Sequence, residues 1–345
     1  MNTRKLTLLF TALLGLAVSA FAQTKTTEAT VARVTGSATV TLPDGSTQPL
    51  TAGMKVAQGS IITTGADGDL YLESHAGYVT SIKKDSVVEV NEISVTSAGG
   101  KVTEERTLLD LKSGNLVANL DPKKKSVNNY QVRTPKGVAA ARGTTFTVNF
   151  RGGVYTIAVV NGQVVLTPPG SFGQTPAQMA ASAAQSQVGA GQAIAIDNQM
   201  ESMGVTSWIA YDMADATRNQ NAANSVNELL AAAVATVTIA AQNGIGGATA
   251  AEAAAVAKAV FAVAPNTAAQ AAAMIKSSGG DTSSSNSVMQ AIKNEVPATQ
   301  QGAFDSSASS GTFQQTTVNT QARDFQTTTT TPTPIDTSTI SRSNE

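Results

Sequence analysis

One histidine and no cysteine limit the chemistry that this chain can perform. His75 lies in LYLESHAGYV beside Gly77, where the sequence predicts a hairpin turn and a solvent-exposed imidazole. A single histidine excludes histidine-rich zinc sites, and the lack of cysteine excludes thiolate ligands and thiol nucleophiles. A Ser–His–acid triad would have to use His75, and a Ser–Lys dyad, which has no recognisable sequence pattern, stays open. We predict no catalytic residue, no metal site and no cofactor.

Two pairs of neighbouring carboxylates have a spacing that acid/base chemistry could use. Asp67 and Asp69 flank a glycine in a predicted turn, and Glu104 and Glu105 lie at a predicted strand start. We interpret both pairs as ordinary solvated positions. GADGDL lacks the ligand spacing of a calcium loop, and the glycine-rich segment 243–247 has no strand before it, so it is not a phosphate-binding loop. The protein is therefore predicted not to be an enzyme.

The segment RTPKGVAAARGTTFTV, residues 133–148, is the most distinctive stretch. Pro135 fixes φ and Gly137 frees it, which predicts a turn. Gly143 indicates a bulge or a close approach to the backbone. In the strand that follows, alternation predicts that the face of Phe146 is buried and that the face of Thr145 and Thr147 is not.

Arg142 in the same segment has two interpretations. Its guanidinium either braces the turn by hydrogen-bonding to carbonyls or a carboxylate, which we favour, or presents a site to a ligand. The Arg-Gly-Thr sequence of residues 142–144 is accordingly interpreted as a backbone shape and not as a catalytic site.

Charge argues against a nucleic-acid partner. Without Arg4 and Lys5, which belong to the signal peptide predicted below, the chain has 21 basic and 24 acidic residues, a net charge of −3. The basic cluster Lys123–Lys125 is interpreted as a solvated loop.

The N-terminus has the pattern of a secretory signal peptide. Arg4 and Lys5 precede an apolar run of about 13 residues, and Ala20-Phe21-Ala22 supplies a cleavage pattern. A membrane span needs roughly 20 apolar residues. We predict export to the periplasm or extracellular space, cleavage after Ala22 and no membrane span afterwards, including at the short run 229–241.

Residues 23–200 are predicted to form a mainly β domain, a sandwich or roll of short antiparallel strands. Alternating segments such as SATVTL, DLYLES and TTFTVNF are separated by turn signals every 8–12 residues. Asn161-Gly162 between VYTIAVV and QVVLT predicts a tight hairpin. A Pro/Gly/Ser/Gln-rich loop is predicted between Pro168 and Gln187.

Residues 205–303 are predicted to form Ala-rich α-helical hairpins, with Trp208 and Tyr211 anchoring the first helix. Two similar segments, 249–258 and 267–276, are separated by Pro265, which ends the first helix. A homo-oligomer through 205–303 is an open alternative, and the Ser/Thr-rich residues 304–345 are predicted to be a disordered tail. The predicted helix starts are hydroxyl residues with an acid or amide three positions later: Ser225/Glu228, Thr249/Glu252, Thr267/Gln270 and Ser287/Gln290.

The β segment resembles the FecR family. The likeness rests on GSATVT, PLTAGMKVAQGSIITTGADGDLYLES, LLDLKSGNLVANL, YQVRTPKGVAAARGTTFTV, VYTIAVVNGQVVL and VGAGQAIAI, in that order. The residues that match the family motif, all interpreted as structural, are Arg133, Thr134, Pro135, Arg142, Gly143, Thr144, Phe146, Gly162 and Gly191.

The resemblance implies signalling or binding in the cell envelope. In the best-known members of that family, a periplasmic FecR domain senses an outer-membrane transporter and regulates a sigma factor through a cytoplasmic arm. Here a cleavable signal stands in place of that arm. The expectation is therefore a stand-alone, non-enzymatic exported module that binds an envelope protein partner through the β domain. The alternative is a structural envelope or surface protein that self-assembles through its Ala-rich helices.

Overall fold

The computed structural model describes residues 22–167, 187–196, 211–212 and 220–313. Several predicted features lie outside the described residues: the signal peptide up to residue 21, most of the Pro/Gly/Ser/Gln-rich loop, Trp208 and the tail beyond Phe313. Within the described residues, the predicted fold class is confirmed, because a mainly β region is followed by helices.

Short strands dominate the first part of the chain. In chain order they are β1 (Gln23–Thr26), β2 (Ala29–Thr35), β3 (Ala38–Thr41), β4 (Thr47–Pro49), β5 (Lys55–Val56), β6 (Ile61–Thr64), β7 (Asp69–His75), β8 (Tyr78–Ile82), β9 (Val87–Ala98), β10 (Lys101–Leu120), β11 (Asn128–Thr134), β12 (Gly137–Ala141), β13 (Thr145–Arg151), β14 (Val154–Asn161), β15 (Gln163–Thr167), β16 (Gln187–Gly189), β17 (Gln192–Ile196) and β18 (Tyr211–Asp212). The last strand lies beyond the predicted domain end at residue 200.

The strands form two sheets. The outer sheet has the order β4–β3–β6–β9–β10–β11–β12–β15–β16, and β1 also pairs with β9. The middle sheet has the order β5–β2–β7–β8–β10–β13–β14–β17–β18. The described pairs are antiparallel except β10 with β11, which is parallel. Consecutive strands therefore alternate repeatedly between the two sheets.

Strand β10 belongs to both sheets. Its first part, from Lys101 to Ser113, pairs with β9, and its last part, from Gly114, pairs with β13. At the change of sheet Gly114 has φ +102°, and a Cβ there would lie 2.1 Å from Ser86 Oγ. Only glycine fits this bend, so one residue lets a single long strand connect the two sheets.

An apolar core fills the space between the sheets. Leu109 and Tyr130 from the outer sheet belong to the same buried cluster as Leu72, Phe146 and Val148 from the middle sheet. The predicted burial of the Phe146 face is therefore correct. The prediction that the opposite face of β13 is exposed is wrong, because Thr145 and Thr147 are 3% and 0% exposed.

A helical layer covers that opposite face of the middle sheet. Its helices are α1 (Gln220–Asn243), α2 (Ala250–Val263), α3 (Thr267–Ser277), α4 (Ser287–Lys293) and α5 (Gln301–Ser310). Leu230 and Val234 of α1 share one buried cluster with Tyr71, Val117 and Ala158 of the middle sheet. The described strands and helices thus form one compact unit that ends at Phe313.

Helix α1 is buried on all sides from Leu229 to Ala240. It contacts β10, β13 and β14 on one side and α2 and α3 on the other. A helix surrounded in this way must be apolar around its whole circumference, which explains the apolar run 229–241. Among the described residues, no helix is long and apolar enough to cross a membrane.

The predicted helix boundaries are partly correct. Thr249 and Glu252 form the predicted capping box at the start of α2, and α2 ends before Pro265. Ser225 lies inside α1 and does not begin a helix. The caps before α3 and α4 are Asn266 and Asn286, each one residue earlier than predicted.

The helical region also extends further than the predicted end at residue 303. Helix α5 continues to Ser310, and Phe304 in it is 1% exposed. Phe304, Ser307 and Ala308 are buried in this Ser/Ala-rich helix, which packs against α3.

Candidate functional site

The Arg-Gly-Thr segment is a corner between the two sheets. The chain leaves the outer sheet at Ala141 and enters the middle sheet at Thr145. Gly143 has φ +61°, and a Cβ there would lie 2.7 Å from Pro122 Cα and 2.6 Å from Lys125 Cγ. The glycine is therefore required both by its backbone conformation and by the close approach of the turn at Pro122–Lys124.

Asn161-Gly162 is a second corner, and the predicted hairpin between β14 and β15 is wrong. Strand β14 pairs in the middle sheet with β13 and β17, whereas β15 pairs in the outer sheet with β12 and β16. Gly162 has φ +84°, as a tight hairpin would also require. The local conformation was predicted correctly, but the strands diverge because each has better partners elsewhere.

Thr144 connects the two corners. Its hydroxyl donates to the carbonyl of Gln163 at 3.1 Å, and a Cβ on Gly162 would lie 2.7 Å from Thr144 Oγ1. A third change of sheet follows at Gly191, whose φ is +77° and whose N–H donates to the carbonyl of Val159 at 2.9 Å. These motif residues hold the end of the sandwich together.

Arg142 does not brace this corner, so the favoured interpretation is wrong. Its side chain is exposed, and in the described part of the chain it forms no hydrogen bond or ion pair. The guanidinium therefore extends into solvent beside the corner. The second interpretation, a residue presented to a ligand, stays a prediction.

Arg133, Thr134 and Pro135 have different roles. Strands β11 and β12 are joined by the two-residue turn Pro135-Lys136. The Thr134 hydroxyl supports this turn by donating to the carbonyl of Gly137 at 3.1 Å. Arg133 points to the outer surface of the outer sheet, where its Nε and Nη2 donate to the two carboxylate oxygens of Asp110.

Asp110 is the centre of a charged network on this surface. Lys112 Nζ lies 3.1 Å from Asp110 and 3.0 Å from Glu89, and Asn91 donates to Asp110 at 3.4 Å. Burial alone would raise the pKa of Asp110, but the hydrogen bonds from Arg133 and Lys112 outweigh it and lower that pKa. The hydrogen bond with Asp110 also raises the pKa of Arg133. We call Glu89, Asp110, Lys112 and Arg133 the charged network.

Sequence reasoning missed Asp110, Glu89 and Lys112. Their signal was present in SVVEVNEISV and LLDLKSG, where charged residues alternate with apolar ones. Such alternation places the charges on the solvent face of a strand, and opposite charges on neighbouring strands form cross-strand pairs. The register was the missing information, because it alone aligns Asp110 with Glu89 on one side and with Arg133 on the other.

The prediction that the acidic pairs are ordinary solvated positions is correct for Asp67, which is exposed, and wrong for the other three residues, which are buried or half-buried. All four carboxylates have structural partners. Asp67 accepts from the amide and the hydroxyl of Ser37. Glu104 accepts from Asn129 at 2.5 Å. The remaining two form ion pairs: Asp69 with Lys83, and Glu105 with Lys124, both at 3.1 Å.

Lys124 and His75 occupy one partly buried cluster. The prediction of a solvated loop is wrong for these two residues and correct for Lys123 and Lys125, which are exposed. The ammonium of Lys124 lies 5.3 Å from the ring centroid of Tyr78. His75 is 9% exposed, stacks edge-on against Tyr78 at 5.4 Å and donates from Nε2 to the carbonyl of Arg106 at 3.0 Å. Burial lowers the pKa of His75. The histidine has a structural contact on each side.

The sequence analysis also predicted no metal site and placed Tyr211 at the first helix. No group of three or more His, Cys, Asp or Glu side chains that could hold a metal ion occurs in the described ranges. Tyr211 lies in β18 of the middle sheet and not in a helix, so the prediction that it anchors the first helix is wrong.

The two sheets differ in what covers them. The helical layer covers the far face of the middle sheet, whereas the far face of the outer sheet carries half-buried and exposed side chains. The charged network lies at the centre of this second face, with Gln131 and Ala140 beside it. We call this solvent-facing side of the outer sheet the outer face. The outer face is the candidate functional site.

Comparison with known proteins identifies this region. Residues 60–165 match the family model described as FecR protein, a range that includes the charged network and the corners at Gly143 and Gly162. No curated protein matches the chain. Two crystal structures of a "putative anti-sigma factor" from Parabacteroides distasonis ATCC 8503 overlap with TM-scores of 0.31 and 0.30 at 13% identity. The overlaps cover 44% of this chain and 59% of theirs, and they do not define a shared fold. Residues 60–165 are therefore similar to the FecR family, in agreement with the resemblance seen in the sequence motifs.

Proposed function

We propose that the protein is an exported, non-enzymatic FecR-domain module of the cell envelope that signals by binding a protein partner through its outer face. The observation that carries this proposal is the contrast between the two sheet faces of the FecR domain. One face is sealed by the chain's own helices, and the other presents an ordered charged network to solvent.

The charged network has the properties of a recognition surface. Asp110 is almost buried and fixes Arg133 and Lys112, whose side chains are 38% and 48% exposed. Two cations are thus held in defined positions while part of each side chain faces solvent. Ordered charges of this kind give a protein interface its specificity and its fast association. A partner with a carboxylate opposite Arg133 and Lys112 fits this surface.

Several structural roles support a binding function over catalysis. His75 is engaged with Tyr78 and a backbone carbonyl, and the two acidic pairs hold neighbouring segments together. The groups that could have acted as acids or bases therefore have structural partners.

Self-assembly through the Ala-rich helices is the weaker alternative. Helix α1 buries its apolar side chains against the middle sheet and the other helices. The large hydrophobic side chains that are exposed in the described part of the chain are Val102 and Phe313, and both lie outside the helices. Among the residues whose burial is described, the helical layer therefore shows no exposed apolar patch of the kind on which such assembly depends.

The proposed cleavage after Ala22 is compatible with the described fold. Strand β1 begins at Gln23, directly after the expected cleavage point at Ala22. Cleavage there would keep all the described pairs between β1 and β9, because they run from Gln23 to Thr26.

An affinity capture from envelope extract tests this proposal. Residues 23–345 serve as bait in three forms. The first is unchanged, and the second is Ala140→Arg, which adds bulk and charge to the outer face. The third is Lys258→Glu, a control at an exposed side chain of α2. We expect one envelope protein to be captured by the unchanged bait and by the control, and to be lost with Ala140→Arg. Equal capture by all three baits, or none by the unchanged bait, would overturn the proposal. Circular dichroism melts establish that each bait is folded.

A further inference from the structure

A cleft lies where the helical layer meets one end of the middle sheet. Its cavity volume is about 350 Å³, within the range of small-molecule sites. The sandwich contributes Lys83, Lys84, Asn115 and Arg151, and the helices contribute Glu228 and Met274. The cleft is separate from the outer face, because the two lie on different sheets.

The floor of the cleft is a fixed ion pair. Lys83 Nζ lies 3.1 Å from Asp69 Oδ2, and these side chains are 13% and 7% exposed. The Ser81 hydroxyl donates to Asp69 at 2.9 Å, and the Lys83 ammonium lies 5.5 Å from the ring centroid of Tyr71. These charges satisfy each other and form a rigid base.

Other groups in the cleft lack a partner in the described part of the chain. Asn115 is 6% exposed, and its Oδ1 accepts no hydrogen bond. Arg151 Nη2 donates to the carbonyl of Lys84, but its buried Nε has no acceptor. Buried polar groups in folded proteins nearly always have a partner, so these two side chains indicate a polar ligand.

The free charges define the ligand class. Lys84 and Arg151 present cationic groups from the sandwich side, and Glu228 presents an exposed carboxylate from α1. Asp67 also lines the cleft, but its carboxylate already accepts from the amide and the hydroxyl of Ser37. We propose that the cleft binds a small zwitterion, a free amino acid or a dipeptide, whose carboxylate faces Arg151 and Lys84 and whose ammonium faces Glu228. Arginine is the side chain best suited to bind a carboxylate with two parallel hydrogen bonds.

Binding would join the two layers. The ligand contacts the sandwich through Arg151 and Asn115 and the helical layer through Glu228, so it binds only the folded arrangement of both. A ligand of this kind raises the unfolding temperature by mass action.

The test uses residues 23–345 with two probe sets, the twenty free amino acids and a panel of dipeptides. Thermal unfolding and isothermal titration calorimetry are the two measurements. We expect at least one probe to raise the unfolding midpoint by about 5 °C at a hundred times its dissociation constant. The set in which it occurs distinguishes a free amino acid from a peptide.

Variants establish where the probe binds. Glu228→Gln and Arg151→Gln should each weaken binding of the probe at least about tenfold. Lys258→Gln, at an exposed side chain of α2, should leave the affinity for the probe unchanged. Removing the probe's own charge, by N-acetylation or by C-terminal amidation, should have the same effect as the matching variant. Glu228 is exposed, so its substitution leaves folding intact even if Arg151→Gln does not.

The proposal is overturned if no probe in either set binds, or if Glu228→Gln and a folded Arg151→Gln bind as the unchanged protein does. Loss of partner capture by the outer-face variant Ala140→Arg does not bear on this site, so the two proposals fail separately.

Discussion

The guanidinium of Arg133 donates through Nε and Nη2 to both carboxylate oxygens of Asp110, across the only parallel strand pair in the described sheets. Residue Arg133 belongs to the FecR motif segment, and Asp110 lies 23 residues earlier in the chain. Arg133 is therefore held in a defined position at the protein surface by a neighbouring strand of the same chain.

Removing the carboxylate from this pair should destabilise the fold. Asp110→Ala leaves Arg133 and Lys112 as neighbouring cations without a common acceptor, and we expect a loss of about 1–3 kcal/mol in the free energy of unfolding. Urea unfolding at pH 7 measures it. Because the pKa of Asp110 is lowered in the folded state, its contribution is complete above the unfolded value of about 3.9 and is lost as the pH falls below that value. An unchanged midpoint in urea would show that the network adds nothing to stability.

Gly143 and Gly152 form a matched pair of substitutions. Both have a positive φ, +61° and +58°, but a Cβ at Gly143 meets Pro122 and Lys125 whereas a Cβ at Gly152 meets nothing within 4 Å. Gly152→Ala should cost about 1 kcal/mol from backbone strain, and Gly143→Ala about 1–3 kcal/mol more from the collision. Chemical denaturation of both variants checks this, and equal costs would contradict the corner described above.

Thr144 and Thr147 give a second matched pair. The hydroxyl of Thr144 donates to Gln163 across the corner, whereas the buried hydroxyl of Thr147 has no partner in the described part of the chain. Thr144→Val should lose about 1–2 kcal/mol of stability, and Thr147→Val should be neutral or slightly stabilising. If both variants lost the same stability in thermal unfolding, the Thr144 contact would not hold the two corners together.

His75 should make the stability depend on pH. Burial lowers its pKa below the ordinary value of about 6.5, so the unfolded chain binds more protons just below that pH. The contribution of the neutral His75 to the free energy of unfolding is then complete above pH 6.5. It decreases as the pH falls through the window between that value and the pKa of His75 in the folded protein. Unfolding measurements from pH 7.5 to 5 should show this decrease, and His75→Gln should remove it. A variant with the same pH profile as the unchanged protein would exclude His75 as the source.

Local chemistry predicted most elements but not their pairing. The Asn161-Gly162 sequence predicted the positive φ at Gly162. A tight hairpin and a corner between two sheets are both compatible with that φ. The choice between them depends on strands far away in the sequence, β12 and β17, which take up the two edges. Single-sequence patterns hold no information about such partners.

The burial of one face of β13 under the helical layer could not be predicted from the sequence either. Thr145 and Thr147 have the alternation of a solvent-facing strand, and their burial results from helix α1, which begins about 70 residues later in the chain. The charged network was partly readable, because alternation placed Asp110 and Arg133 on strand surfaces, but the parallel register that joins them was not.

Photo-crosslinking from the outer face tests the central claim most directly. The chain has no cysteine, so Ala140→Cys and Lys258→Cys each provide one site for a benzophenone maleimide, on the outer face and on the helical layer. We predict that in envelope extract the probe at position 140 crosslinks one partner protein and the probe at position 258 does not. A partner crosslinked from position 258 alone, or no partner from position 140, would contradict the assignment of the outer face as the binding surface.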